Sequence, residues 1–193
     1  MAYLVATCFD KKTWQEFGLN WLRTAKSLKL KGIVIGDGLA NEAVTKIKEL
    51  GFDHVPILVK CNPVIDRYYT LASVLSPDQW CLLTHPSVLP RIGLSGMSCA
   101  VEKIPAMELV GSIRSLTDRA KSFSLIQEKI EKEYHGVFSM KCVLGDGYFW
   151  NMLAGFQTYL FENKYFDRPN FCVEMSFNLY MALTEAKPEI CHD

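Results

Sequence analysis

Hydrophobic and polar positions follow two alternating spacings through the first part of the chain, and the switches between them mark its elements. Ala2 to Thr7, AYLVAT, is a short apolar run with a polar exit at Cys8-Phe9-Asp10. A run of that length predicts a buried strand. Trp14, Phe17, Trp21, Ala25 and Leu28 then recur at three- and four-residue steps, which predicts a helix with one apolar face. Lys26, Lys29 and Lys31 bias its end with positive charge, as the helix dipole favours. Gly32 hands over to Ile33-Val34-Ile35, a second strand ending in Gly36-Asp37-Gly38. A second helix carries Leu39, Ala43, Ile47 and Leu50 on one face and stops at Gly51, a C-cap residue.

Val55 to Val59 reads as a third strand. Asn62-Pro63 opens a third helix, with proline at the first turn, where its missing N–H is harmless. That helix shows Val64, Tyr68, Leu71 and Leu75 at helical spacing and ends before Ser76-Pro77. The stretch Trp80 to Pro90, WCLLTHPSVLP, follows: a buried strand at Cys81-Leu82-Leu83 with a polar tip at Thr84-His85-Pro86-Ser87. The alternation β-α-β-α-β-α-β predicts a parallel sheet covered by helices on both faces.

The second half breaks this rhythm. Arg91 to Pro105 reads as loop with one short strand, Glu108 to Ile113 as an edge strand, and Thr117 to Glu133 as a helix. Val137 to Leu144, VFSMKCVL, predicts a strand ending in Gly145-Asp146-Gly147. Tyr148 to Phe166 predicts a long aromatic-rich helix. After a turn at Asp167-Arg168-Pro169-Asn170, Phe171 to Ala182 begins extended and becomes helical, and Lys187 to Asp193 reads as a loose end. The fold class expected is α/β, a single domain over 1–193 with a mostly parallel central sheet flanked by helices.

Composition narrows the classes. The chain has 193 residues, 49% hydrophobic and 22% charged, an ordinary globular mixture with enough chain for its own core. Lys+Arg and Asp+Glu balance at 21 each, so no global basic field points to nucleic acid or an anionic membrane. The seven cysteines are scattered without a CxxC pair. That odd count, with no basic leader before the first strand, points to a reducing, cytoplasmic setting. No stretch reaches the roughly 18 apolar residues of a membrane span.

The chain has no GxxxxGK[ST] loop, no GxGxxG and no GxSxG elbow, and no metal-ligand spacing links its four histidines to a cysteine pair. What remains is a set of polar residues at strand exits: Asp10, Asp37, His85 and Asp146. Ligands of open α/β sheets collect beyond the carboxyl ends of the strands, so Asp10, Asp37 and His85 should share one edge. An aspartate there can equally be a helix N-cap or turn former.

The order of these pieces resembles glycosyltransferases of the GT-A type, the nucleotide-diphospho-sugar transferase fold. The resemblance rests on YLVATCFD (Tyr3–Asp10), DRYYTLASVL (Asp66–Leu75) and WCLLTHPSVLP, then KCVLGDGYFWNMLAGFQTYL (Lys141–Leu160) and VEMSFNLYMAL (Val173–Leu183). It implies a nucleotide-binding half over 1–90 and an acceptor-side half over 91–193. It also implies transfer of a sugar from a nucleotide-sugar donor to an unknown acceptor. Carried over by position, Cys8 and Asp10 stand at the nucleobase loop, and Asp37 at the neighbouring strand exit. Arg67 stands at the family's basic residue, which meets the diphosphate. Gly145 stands at the family's glycine-bearing strand.

His85-Pro86-Ser87 occupies the place of the family's Asp-x-Asp motif. Those carboxylates would hold a divalent cation, Mn²⁺ or Mg²⁺, which the resemblance therefore leaves open. Histidine and serine cannot form the same hard anionic site. Of the family's Asp-Glu or Asp-Gln pair only Glu174 remains, a candidate base or charge stabiliser. Asn178 keeps the spacing of the family's asparagine.

Structural alternatives stand beside these roles. Glu174 can be a solvated helix-start residue, Arg67 a surface ion pair with Asp66, and Tyr148-Phe149-Trp150 core rather than a stacking platform. At the level of function, the alternative to a transferase is a non-catalytic nucleotide-sugar-binding or partner-supporting protein on the same fold. A flavodoxin-like or Rossmann-like module fits less well, because the second half does not continue the β-α alternation.

Overall fold

A computed structural model describes residues 3–88, 103–105, 136–138, 140, 142–166 and 168–184. Five strands form one sheet in the order β3-β2-β1-β4-β7. They are β1 (Leu4–Asp10), β2 (Gly32–Asp37), β3 (Asp53–Pro56), β4 (Cys81–Thr84) and β7 (Cys142–Gly145). The first four are mutually parallel, and β7 runs antiparallel to β4. A separate antiparallel pair joins β5 (Lys103–Pro105) to β6 (Gly136–Phe138). The expected α/β class with a mostly parallel sheet is therefore present.

Among the described residues five helices accompany the sheet. The first, α1, spans 11–27: a turn at Lys11–Thr13, a π-helical segment Trp14–Gly18, and a regular stretch Leu19–Ser27. The others are α2 (Asn41–Glu49), α3 (Pro63–Val74), α4 (Gly147–Glu162) and α5 (Pro169–Thr184). No helix among the described residues is long and apolar enough to cross a membrane.

The two-residue period of the strands sorts the core into two layers. Val5, Phe9 and Val34 point to one face and pack with Trp21, Leu22, Ala25 and Ile47 of α1 and α2. Ala6, Ile33, Ile35, Cys81 and Leu83 point to the other face, against Tyr68 and Leu71 of α3, Trp150 and Leu153 of α4, and Phe177 of α5. The π-helical segment shifts the phase of α1, so Gly18 and Leu22 are buried along with the expected Trp21 and Ala25. A Cβ on Gly18 would collide with the Trp14 ring.

Three boundaries depart from the sequence reading. The third strand covers Asp53–Pro56 rather than Val55 to Val59, and its pairing with β2 closes with the Ile57 N–H donating to the Gly36 carbonyl across 3.0 Å. Beyond it Leu58 and Val59 are exposed. The run Val137 to Leu144 is two strands in two sheets, broken by a turn at Met140. The last helix begins at Pro169, with no extended start. The predicted strand Glu108 to Ile113, the helix Thr117 to Glu133 and the tail after Lys187 lie outside the described residues.

Candidate functional site

Register determines which polar residues meet. Thr7 of β1 pairs with Thr84 of β4, and Asp10 pairs with Asp37 of β2. The strand exits Asp10, Asp37 and His85 therefore lie along one edge of the sheet. Cys8 follows Ala6 by two residues, so it faces the α3–α5 layer. His85 follows Leu83 in the same way.

A cavity of about 50 Å³ opens at this edge. Its walls are Cys8, Leu83 and Thr84 from the strands, His85 and Pro86 from the turn after β4, Arg67 and Tyr68 from α3, Met140 from the turn before β7, and Glu174 from α5. Four candidates separated widely in sequence, Cys8, Arg67, His85 and Glu174, thus line one space.

Arg67 is half-buried, and the identities of its partners matter. Its Nη2 donates to the hydroxyl of Tyr68 across 3.2 Å, and its guanidinium carbon lies 4.9 Å from the centre of the Tyr68 ring. Its Nε is buried and has no hydrogen-bond partner among the described residues. An unsatisfied buried donor costs about 1–3 kcal/mol. Asp66 is not its partner. That carboxylate is fully buried and accepts the backbone N–H groups of Lys60 (2.8 Å) and Cys61 (3.1 Å), fixing the loop before α3.

Glu174 faces the cavity from α5, and its Oε2 accepts the N–H of Met140 across 2.9 Å. It is therefore anchored, not a loosely solvated helix-start residue. Asn178, one turn on, is buried and donates its Nδ2 to the Glu174 carbonyl at 2.8 Å. It is not among the residues that line the cavity.

His85 and Ser87 are joined to each other: Nδ1 lies 2.7 Å from the Ser87 Oγ and 3.2 Å from the Ser87 backbone nitrogen. An N–H can only donate, so Nδ1 accepts, and the neutral ring carries its proton on Nε2.

Burial pushes the Cys8 thiol up to about 12, with Asp37 and Asp10 adding to the rise and Arg67 opposing it. At neutral pH Cys8 therefore presents a neutral thiol to the cavity. Burial likewise raises the Tyr68 phenol and keeps it neutral; Arg67 pulls against that rise.

Other candidates stand apart from the cavity. Asp10 is the N-cap of α1: its Oδ1 accepts from the Thr13 N–H at 2.7 Å and the Thr13 hydroxyl at 2.8 Å. Asp146 caps α4 in the same manner, accepting from Phe149 N–H at 2.7 Å. Gly145 pairs with Cys81, whereas the cavity lies beyond Thr84, so the antiparallel run of β7 carries Gly145 to the opposite end of the sheet. A Cβ there would strike the Phe149 ring, which gives this glycine a packing reason of its own. Trp150 is core, with its Nε1 donating to the carbonyls of Cys81 and Gly145.

The sequence reading missed Tyr68 and Met140 as site residues. Its spacing puts Tyr68 in the apolar stripe of its helix, where its ring does sit. The signal was its adjacency to Arg67, since a buried tyrosine needs a partner for its hydroxyl.

No protein-family model matches the chain, and no curated protein matches it. The chemistry of the site rests on its own residues.

Proposed function

We propose that the protein is glycosyltransferase-like, binding a nucleotide-sugar donor at the carboxyl edge of β1 and β4 and transferring its sugar to an acceptor. One observation carries the reading: a fixed cation, Arg67, and an anchored carboxylate, Glu174, face one cavity at that edge. A donor of this class needs positive charge for its diphosphate and a carboxylate beside its sugar. The cavity accommodates a phosphate-sized group, about a third of the 150 Å³ that admits benzene. The rest of such a donor would extend along the edge past Cys8 toward Asp37.

The resemblance raises a divalent cation, and the residues at its expected place do not fit one. His85 and Ser87 offer no carboxylate and bind each other. Among the described residues no three His, Cys, Asp or Glu side chains converge to hold a metal.

The same substitution favours one second reading, a protein that binds the nucleotide sugar without turning it over. A thermal-shift screen across nucleoside diphosphates and nucleotide sugars comes first. A ligand at about 100 times its Kd adds about 2.7 kcal/mol, which moves the midpoint by several degrees. Glu174→Gln then separates the two readings. An enzyme loses about 10²-fold in turnover with nucleotide affinity unchanged. A binding protein releases no nucleoside diphosphate with any acceptor, and Glu174→Gln matches wild type.

A further inference from the structure

We propose that Tyr68 is a positioning residue: it presents the Arg67 guanidinium to an anionic group in the cavity, so that a bound diphosphate meets a fixed organic cation instead of a metal ion. The identity of the anion rests on the nucleotide-sugar reading; the geometry does not.

An arginine on a helix surface ordinarily samples many rotamers. Arg67 is held twice by its chain neighbour, through the 3.2 Å bond from Nη2 and through the ring 4.9 Å from its guanidinium carbon. Tyr68 is itself immobile, with only 2% of its surface exposed and its ring packed in the core. The guanidinium is thus oriented before any ligand arrives, which lowers the entropy lost on binding.

The remaining donors decide what it is oriented toward. Nε is buried without a partner among the described residues and is itself closed off, on a side chain that lines the cavity. The terminal nitrogens carry the donors left over from the Tyr68 bond, and two such N–H groups match two oxygens of a phosphate or carboxylate. Glu174 shares the cavity and repels an anion placed against it. A ligand with one anionic end therefore seats that end on Arg67 and turns a less charged part toward Glu174. Cys8 stays a neutral thiol and adds no competing charge.

The test is calorimetric titration of inorganic pyrophosphate and of UDP, GDP and ADP, in EDTA and in Mn²⁺, for wild type, Tyr68→Phe and Arg67→Lys. Wild type is expected to bind pyrophosphate and one of the nucleotides with affinities in EDTA within about twofold of those in Mn²⁺. Tyr68→Phe keeps the ring and loses only the hydroxyl, so both ligands should weaken about five- to tenfold at an unchanged melting temperature. Arg67→Lys, which loses the paired N–H groups, should weaken them by about tenfold or more.

Dependence on Mn²⁺, or Tyr68→Phe binding as wild type does, overturns the inference and leaves the nucleotide-sugar reading in place. Weakening that only follows a drop in melting temperature also overturns it, since a purely structural tyrosine behaves so. Pyrophosphate binding that responds to both variants, with no nucleotide bound, upholds the positioning role and removes the nucleotide-sugar reading. Binding of neither ligand overturns both.

Discussion

The indole Nε1 of Trp21 donates to the hydroxyl of Thr84 across 3.0 Å, tying α1 to the last residue of β4. Thr7 completes the clamp by donating its hydroxyl to the Thr84 carbonyl, also at 3.0 Å. The chain leaves this pinned residue directly into His85, so the edge of the cavity is only as steady as the clamp. Trp21→Phe keeps much of the ring and removes the donor. It should cost about 1–3 kcal/mol, from the lost hydrogen bond and the smaller ring. Urea unfolding of Trp21→Phe, Thr84→Val and the double variant checks this. A double variant whose losses simply add would show that the two side chains are not coupled.

Asp66 makes a second prediction. Its buried carboxylate takes two backbone N–H groups from the loop between β3 and α3. Asp66→Ala leaves both donors unmatched and should destabilise the protein by about 1–3 kcal/mol. Hydrogen exchange should accelerate at Lys60 and Cys61. Unchanged exchange at these two amides would mean that the loop is held by something else.

Cys8 should be a poor nucleophile. With its thiol pushed up to about 12 by burial, the thiolate is scarce at pH 8. Alkylation by iodoacetamide, followed by peptide mass spectrometry, should run on the order of a thousandfold slower than for an unperturbed cysteine. Labelling at the rate of a free thiol contradicts this.

The pH dependence of stability has two separate windows. His54 is held below the usual imidazole value, chiefly by burial and then by Lys48. Its neutral ring is the folded form, so its contribution is complete above pH about 6.5 and is lost as pH falls through the lower folded value. Asp10 is held below the usual carboxylate value, first by the Thr13 N–H. Its contribution is complete above pH about 3.9 and disappears on further acidification. His54→Gln should flatten the upper window alone, and Asp10→Asn the lower. Urea midpoints measured from pH 8 to pH 3 decide it, and the same window flattened by both variants would contradict the assignment.

The parallel half of the fold was legible because three of its four strands, β1, β2 and β4, are largely buried and its helices repeat at 3.6 residues. Ile33 to Ile35 and the Trp21 face needed nothing further. The convergence of Asp10, Asp37 and His85 on one edge followed from topology. The antiparallel direction of β7 was not legible: VFSMKCVL shows one apolar run, and nothing local marks the turn at Met140 that divides it. That direction sends Gly145 away from the cavity and brings Met140 to it. The pairing of Arg67 with Tyr68 was obscured because both readings of Tyr68, core ring and polar partner, hold at once.

β4 is also a matter of timing. It joins β1 on one side early in synthesis, yet its other side waits for Cys142–Gly145, whose turn comes long after Thr84 has been made. At ordinary elongation rates that interval lasts on the order of several seconds. Throughout it, Cys81-Leu82-Leu83 offers a bare hydrophobic rim to any other nascent chain. A fragment ending before Met140 keeps that rim for good and lacks Met140 and Glu174, two walls of the cavity. Such a fragment should be aggregation-prone and unable to bind, and the second half of the chain works as the first half's solubiliser as much as its partner in chemistry.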